Sequence, residues 1–278
     1  MGKSYTVSVR LLAHYLATAR DLPWRRTRDP YAVLVSEVML QQTQAARVAP
    51  AFERFMRRFP TFSALAAAPL GAVLREWSGL GYNRRARDLH LIARRCKDGL
   101  PTDVAELDAL PGVGAYTAGA IASFAFGQRV AFADVNIRRV LGRFFLGRPG
   151  TTQEGVELDD RAMPRRSSDL WHHALMDLGA TICTSRAPKC PVCPLNGDCR
   201  FVRSPAVRTA RPARPAAYLS SDRRVRGAIV KALVKAEAGL TVRALEKEIG
   251  DARVRRLVAA LTADGLIEPA GRRVRLAN

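Results

Sequence analysis

Four of the chain's five cysteines fall in CTSRAPKCPVCPLNGDC, residues 183–199, separated by gaps of six, two and five residues. Thiolates so close together bind soft metals. A zinc site ordinarily takes two pairs of ligands, each about two to four residues apart, and only one such pair is present here. Spacing alone leaves both zinc and an iron–sulfur centre open. Two carboxylates elsewhere also invite chemistry. Glu37 interrupts the apolar run YAVLVSEVMLQQT, so it lies either on a solvent face or partly buried, where desolvation would let it hold a proton near neutrality. Asp134, in FADVNIRRVLGRFF, falls where a helix cap belongs, a role that needs no reaction. A protonated acid facing an ionised carboxylate is the pair that cleaves a glycosidic bond.

The stretch LPGVGAYTAGAIASFAFG, 110–127, sets Gly112 and Gly114 in a turn between a short helix and an alanine-rich one. Glycine there exposes consecutive backbone N–H groups at a helix start, which suits a phosphate and reads no base; the motif resembles a helix-hairpin-helix clamp on a DNA backbone. The charge agrees. Lys plus Arg number 45 against 25 Asp plus Glu, a formal +20, which calls for a polyanion such as nucleic acid, although an arginine-rich proteome would inflate the same figure. Cysteine is too sparse for a disulfide framework, and neither a secretory leader nor a membrane-spanning run is read in the sequence, so a cytoplasmic, nucleoid-associated protein without membrane contact is expected.

The elements that must position these residues are helical over the first 200 positions. Asp29-Pro30 caps and opens a helix through YAVLVSEVML; Thr43 is expected to cap the next, QAARVAPAFERFMRRF, with Pro50 kinking or breaking it. Further helices are expected after Pro69, after Asn83 and over Asp103–Ala109, with Cys96 a helical core residue. RSPAVRTARPARPAA carries three prolines and four arginines and predicts an extended linker. Residues 222–278 then read as three helices followed by two short extended runs, a winged-helix-like module that would serve protein or DNA contacts.

VSEVMLQQTQ, WSGLGYNRRARDLH, LPGVGAYTAGAIASFAFG, DVNIRRVL and the cysteine spacing together resemble the MutY-type adenine DNA glycosylases of the endonuclease III superfamily, over about residues 20–200; the arginine-rich linker and small last module resemble its actinobacterial branch. The resemblance implies an all-α helix-hairpin-helix glycosylase fold in residues 1–202: a six-helix barrel domain over 25–134 and an iron–sulfur domain from 1–24 and 135–202. A Pro/Arg-rich linker over 203–221 and a winged-helix-like module over 222–278 follow. It also implies a 4Fe-4S cluster on Cys183, Cys190, Cys193 and Cys199, shaping a loop whose Arg186 and Lys189 face DNA phosphate. Glu37 is then the acid that protonates adenine N7, and Asp134 the carboxylate facing the sugar, with Tyr116 and Asn136 supporting them. Bifunctional relatives carry a Schiff-base lysine where Tyr116 stands, so base excision without efficient strand cleavage is expected. The target base must be flipped out: Gln42 and Tyr82, with Leu40, Thr43 and Leu80, match the wedge, and Leu22, Trp24 and Arg25 match the adenine-pocket wall. Trp24 and Leu80 would equally suit a helical core.

The implied partner is duplex DNA with adenine opposite 8-oxoguanine or guanine, met by a monomer. Three features depart from the family pattern. GLGYN has Asn83 where the family carries a second tyrosine; His173 replaces the usual Glu or Gln at the adenine edge; and about 57 residues of unrelated sequence stand where a Nudix-like domain checks for 8-oxoguanine. Two rival readings share parts of this pattern. A thymine or uracil mismatch glycosylase would keep the clamp, Asp134 and the cluster but differ at VMLQQT, and a non-catalytic iron–sulfur DNA-binding regulator would not need both acids.

Overall fold

A computed structural model describes residues 3–203 and 221–278. The expected linker at 203–221 lies, apart from its two end residues, outside the described residues. Helix α1 (Lys3–Thr18) and a 3-10 turn (Pro23–Arg26) precede α2 (Pro30–Leu40), α3 (Ala45–Arg58), α4 (Phe62–Ala67), α5 (Leu70–Glu76) and α6 (Arg84–Arg95). There follow α7 (Val104–Asp108), α8 (Ala115–Phe124), α9 (Val135–Leu146), α10 (Thr152–Ala162), α11 (Ser168–Thr181) and the single turn α12 (Arg200–Arg203). The last stretch holds α13 (Asp222–Lys235), α14 (Val242–Ile249) and α15 (Val254–Ala263), then the strands β1 (Ile267–Ala270) and β2 (Arg273–Leu276), paired antiparallel with Ile267 opposite Leu276.

These residues form two compact units. One contains residues 3–28, 102–109 and 113–203; the other contains 29–101, 110–112 and 221–278. In the first, α9 is the central helix, packed by α10, α11 and α12, while α1 lies on α11 and α10. Glycines permit the close approach: a Cβ on Gly155 would come within 2.7 Å of Arg138 Cβ on α9. In the second, α6 supports α2, α4 and α5, burying Leu89, Ile92 and Ala93, and α13 packs on α14, α15 and α5.

Helix starts follow the chemistry of their caps. The Asp29 side chain accepts from the Tyr31 and Ala32 amides, Asp103 from those of Ala105 and Glu106, and Thr241 from that of Ala244. Thr43 is an exception: α3 begins after Gln44, and the Thr43 hydroxyl instead donates to Gln41 O and accepts from Arg85. Pro50 lies inside α3 on an exposed position and does not break it. Cys96 is no core residue but the half-exposed C-cap of α6. None of the described helices is long and apolar enough to cross a membrane.

Candidate active site

Asp134 is the N-cap of α9 and more than a cap. Its Oδ1 accepts from the amides of Asn136 at 2.8 Å and Ile137 at 2.7 Å, and its Oδ2 accepts from Asn136 Nδ2 at 2.7 Å. The carboxylate is half-buried at a helix N-terminus, where the peptide dipoles favour negative charge. Asn136 is fixed in turn: Arg139 donates to its Oδ1 at 2.7 Å while also donating to the Gly179 and Cys183 carbonyls. Gly179 leaves room for it, since a Cβ there would stand 2.7 Å from Asn136 Cβ. The approach to Asp134 is equally rigid. Asp159, fully buried, accepts from the Phe132 amide, Trp171 Nε1 and His172 Nε2, and the Phe132 ring stacks on His172 at 3.9 Å. Tyr116 meets Phe132 edge to face at 5.4 Å and donates to Met176 Sδ. Tyr116 and Asn136 therefore converge on the segment that carries Asp134.

The same unit assembles a second group. His173 stacks on Phe124 with centroids 4.2 Å apart and planes 6° from parallel. Burial, and then the Arg25 charge, push its pKa down to about 3, so the imidazole is neutral across the physiological range. One turn along α11, Asp177 accepts from both Arg25 terminal nitrogens, at 2.9 and 2.7 Å, and from the Arg20 side chain and amide. Burial alone would raise the Asp177 pKa, but these hydrogen bonds hold it below the ordinary value. Arg25 is thereby locked bidentate, against the Tyr15 ring, beside half-buried Leu22 and buried Trp24.

Glu37 belongs to the other unit. It is 5% exposed on α2, a helix buried on every side over residues 31–39. Leu40 ends that helix, and Gln42 follows with φ 57; Tyr82, after buried Leu80, has φ 49. These two expected wedge residues account for all but one of the non-glycine positive φ angles among the described residues. Such conformations cost about 1–3 kcal/mol and persist only where the surroundings impose them. The surroundings are Arg85. Its buried guanidinium donates to the carbonyls of Val38, Met39, Gln41, Leu80 and Gly81 and to Thr43 Oγ1, tying the end of α2 to the Tyr82 turn. Burial lowers the Arg85 pKa to about 10, still fully charged. In the hairpin turn Gly112 has φ 70 and packs against Asp88, while Gly114 has an ordinary φ of −128 and open space where a Cβ would point.

The four cysteines all line one small cavity of about 20 Å³, among apolar walls that include Val140, Phe144 and Leu195. Burial raises the Cys193 thiol to about 11, and its three cysteine neighbours push in the same direction. Among the described residues no group of three or more His, Cys, Asp or Glu side chains is placed to hold a metal ion. Buried Arg143 donates to Cys183 Sγ at 3.4 Å and to the carbonyls of Thr184 and Ser185, fixing the start of the loop on which Arg186 and Lys189 are exposed.

Residues 35–161 match the model of the HhH-GPD superfamily base excision DNA repair proteins. An adenine DNA glycosylase of Mycobacterium tuberculosis is 41% identical to the chain, over 96% of this chain and 91% of the relative. This chain belongs to the adenine DNA glycosylase family. Its counterpart in Mycolicibacterium smegmatis is 42% identical over 94% of this chain and 92% of its own, and the human adenine DNA glycosylase is 44% identical over 68% of this chain and 38% of its own. A thermostable thymine-DNA glycosylase aligns with a TM-score of 0.67 at 30% identity, covering 72% of this chain and 97% of that one. An endonuclease III in a non-covalent DNA complex aligns at 0.62 and 26% identity, covering 73% and 98%. The adenine DNA glycosylase family to which the chain belongs is one of base excision repair enzymes, which break N-glycosidic bonds. Within it, the residues that composition and spacing did not single out are Arg85, Arg139, Asp159 and Asp177, each a buried or half-buried charge that holds a site residue in place.

Proposed function

We propose that the enzyme removes adenine mispaired with 8-oxoguanine or guanine in duplex DNA, without cutting the strand. The observation that carries this reading is the mount of Asp134: two amides and a side-chain amide fix both carboxylate oxygens at a helix N-terminus, keeping an anion available to face a sugar that becomes positively charged. Glu37, enclosed by the apolar residues of α2, is the acid that protonates adenine N7 and turns the base into a neutral leaving group; the carboxylate then activates water. Tyr116 offers a phenol and no amine, so no Schiff base forms at the sugar. His173 is neutral and stacked, and it meets the adenine edge with one donor or one acceptor rather than a charge; Leu22, Trp24 and Arg25 complete the pocket wall.

Gln42 and Tyr82, held in strained backbone by Arg85, enter the duplex where the adenine leaves, with Leu40, Thr43 and Leu80 behind them. Gly112 and Gly114 expose the hairpin amides to the phosphate backbone, and the empty space at Gly114 is what a closely approaching strand requires. The cysteine quartet fits a 4Fe-4S cluster in its chemistry: four thiols line one cavity with apolar walls. When bound, the cluster supplies a fixed scaffold; Cys183, Cys190, Cys193 and Cys199 hold it, and the loop between the first two presents Arg186 and Lys189 to DNA.

The test is excision from A:8-oxoguanine, A:G and T:G duplexes, with and without alkali. Alkali-dependent breaks at adenine are expected. Breaks at thymine would replace the reading with a mismatch thymine glycosylase, and an absence of breaks with tight binding would leave a DNA-binding regulator.

A further inference from the structure

The C-terminal module sits beside the wedge of its own unit. Strand β2 lies against α5 so closely that a Cβ on Gly71 would stand 3.2 Å from the Ala277 carbonyl and 3.3 Å from Leu276 Cβ. From α13, Arg223 reaches Tyr82: its guanidinium carbon is 4.9 Å from the ring centroid, and it donates to the phenol oxygen. Arg85 also faces the Tyr82 ring, at 5.2 Å. The two arginines differ in burial. Arg85 is buried and pinned by backbone carbonyls, whereas Arg223 is exposed.

Between the module and the Tyr82 turn runs a groove of about 770 Å³, with Gln42 and Tyr82 on one bank and Arg223, Arg226 and Leu266 on the other. That is within the size of a ligand cleft, about 300–1,000 Å³. Its charge is one-sided: five arginines line it and, among the described residues, no acid does. Asp264 lies behind and engages Arg84 at 2.6 Å, Arg226, and through its carbonyl Arg87. It balances Arg84 and Arg226, and Arg47 and Arg223 complete the basic lining.

We propose that this groove is a DNA-backbone site supplied by the C-terminal module, taking a phosphodiester of the strand opposite the target adenine, with Arg223 as its phosphate ligand. This rests on the excision reading above, because that reading makes Gln42 and Tyr82 the residues that fill the gap beside the opposite base. A guanidinium matches two phosphate oxygens with two parallel N–H groups. On binding, Arg223 exchanges the Tyr82 oxygen for phosphate and uncovers one face of the ring, leaving it to stack. The module thus takes part in mispair binding without touching the excised base.

The test uses the full chain and an A:8-oxoguanine duplex whose target adenosine carries a 2′-fluorine, which withdraws electrons from the sugar and blocks cleavage. Arg223→Ala is expected to bind about tenfold more weakly, with a salt dependence shallower by about one phosphate contact. Arg255→Ala, an equal loss of charge on α15 at a residue paired with Glu246 and outside the groove, should match the parent. Arg223→Lys should keep the parental salt slope; a slope as shallow as that of the alanine variant would mean that Arg223 serves only as a prop for Tyr82, and would overturn the proposal. Phosphates of the opposite strand are then replaced one at a time by neutral methylphosphonates. One position should weaken the parent as much as Arg223→Ala does and leave the variant unaffected. Parental affinity in Arg223→Ala, or a coupled phosphate found only on the adenine strand, also overturns it. Parental protein that releases no adenine from cleavable A:8-oxoguanine or A:G duplexes overturns the excision reading itself; normal release with an indifferent Arg223→Ala overturns this inference alone.

Discussion

Asp134 and Tyr82 are both held where an isolated chain would not keep them, and they are held by different means. Asp134 takes its position from partners two and three residues away, the amides and side chain of the α9 first turn, reinforced by Arg139 from the next turn. Tyr82 depends on Arg85, which reaches back to Val38, 47 residues earlier, and cinches two separate segments with one guanidinium. A charge that stabilises a transition state is best fixed locally, because small displacements weaken it steeply. A turn that must hold its backbone in a costly conformation needs tertiary force, and a buried multidentate cation supplies it.

The contrast can be broken at either end. The largest effect is expected from Asp134→Asn, which keeps the cap geometry and removes the charge: single-turnover adenine release should fall by at least about a hundredfold, while duplex affinity stays near that of the parent. Equal losses in both would make Asp134 a structural cap. Next comes Arg85→Met, which preserves much of the side-chain volume but strands the carbonyls at the end of α2 and in the Tyr82 turn. Loss of a buried charge with several acceptors predicts destabilisation of about 3 kcal/mol in urea denaturation. Affinity for the mispaired duplex should fall more than affinity for undamaged duplex, because Arg85 holds the Tyr82 turn proposed as the wedge. Equal falls would show that Arg85 supports the unit and not the wedge.

The smallest effect concerns His173. His173 has a folded pKa near 3 against an ordinary 6.5, so below about pH 6.5 the unfolded chain binds a proton that the folded one refuses. Stability therefore drops as pH falls from 6.5 towards 3. His173→Gln should abolish that share of the loss, about 2 kcal/mol between pH 7 and pH 5 by urea midpoints. A parallel acid sensitivity in the variant would place the proton elsewhere. The excision rate should show no inflection from His173 between pH 5 and 8.

What the sequence disclosed follows the same division between local and long-range forces. Caps act within a turn, so Asp29, Asp103 and Asp134 announce their helices in the order of letters alone. The cysteine quartet stands out in the order of letters because its four thiols are neighbours in the chain. Thr43 misled for the complementary reason: it has a capping residue's chemistry, but a distant guanidinium, Arg85, competes for its oxygen and α3 starts after Gln44 instead. Arg85 itself stands in RRARDLH among other arginines, and nothing in that run separates the one turned inward from those turned to solvent. Asp159 and Asp177 are hidden likewise, since each becomes the centre of a hydrogen-bond network only after α11 has met partners far away in sequence.

The bare backbone at Gly71 bears on how this enzyme's two-part unit can be re-engineered. Transplanting residues 221–278 onto another helix-hairpin-helix glycosylase takes more than splicing the ends. The recipient helix must also offer a position without a side chain where β2 arrives, because even a methyl group would meet the Ala277 carbonyl and Leu276 at the edge of tolerable contact. A host with valine or leucine there would hold the transplant away from the Tyr82 turn, and the borrowed arginine would never reach its tyrosine.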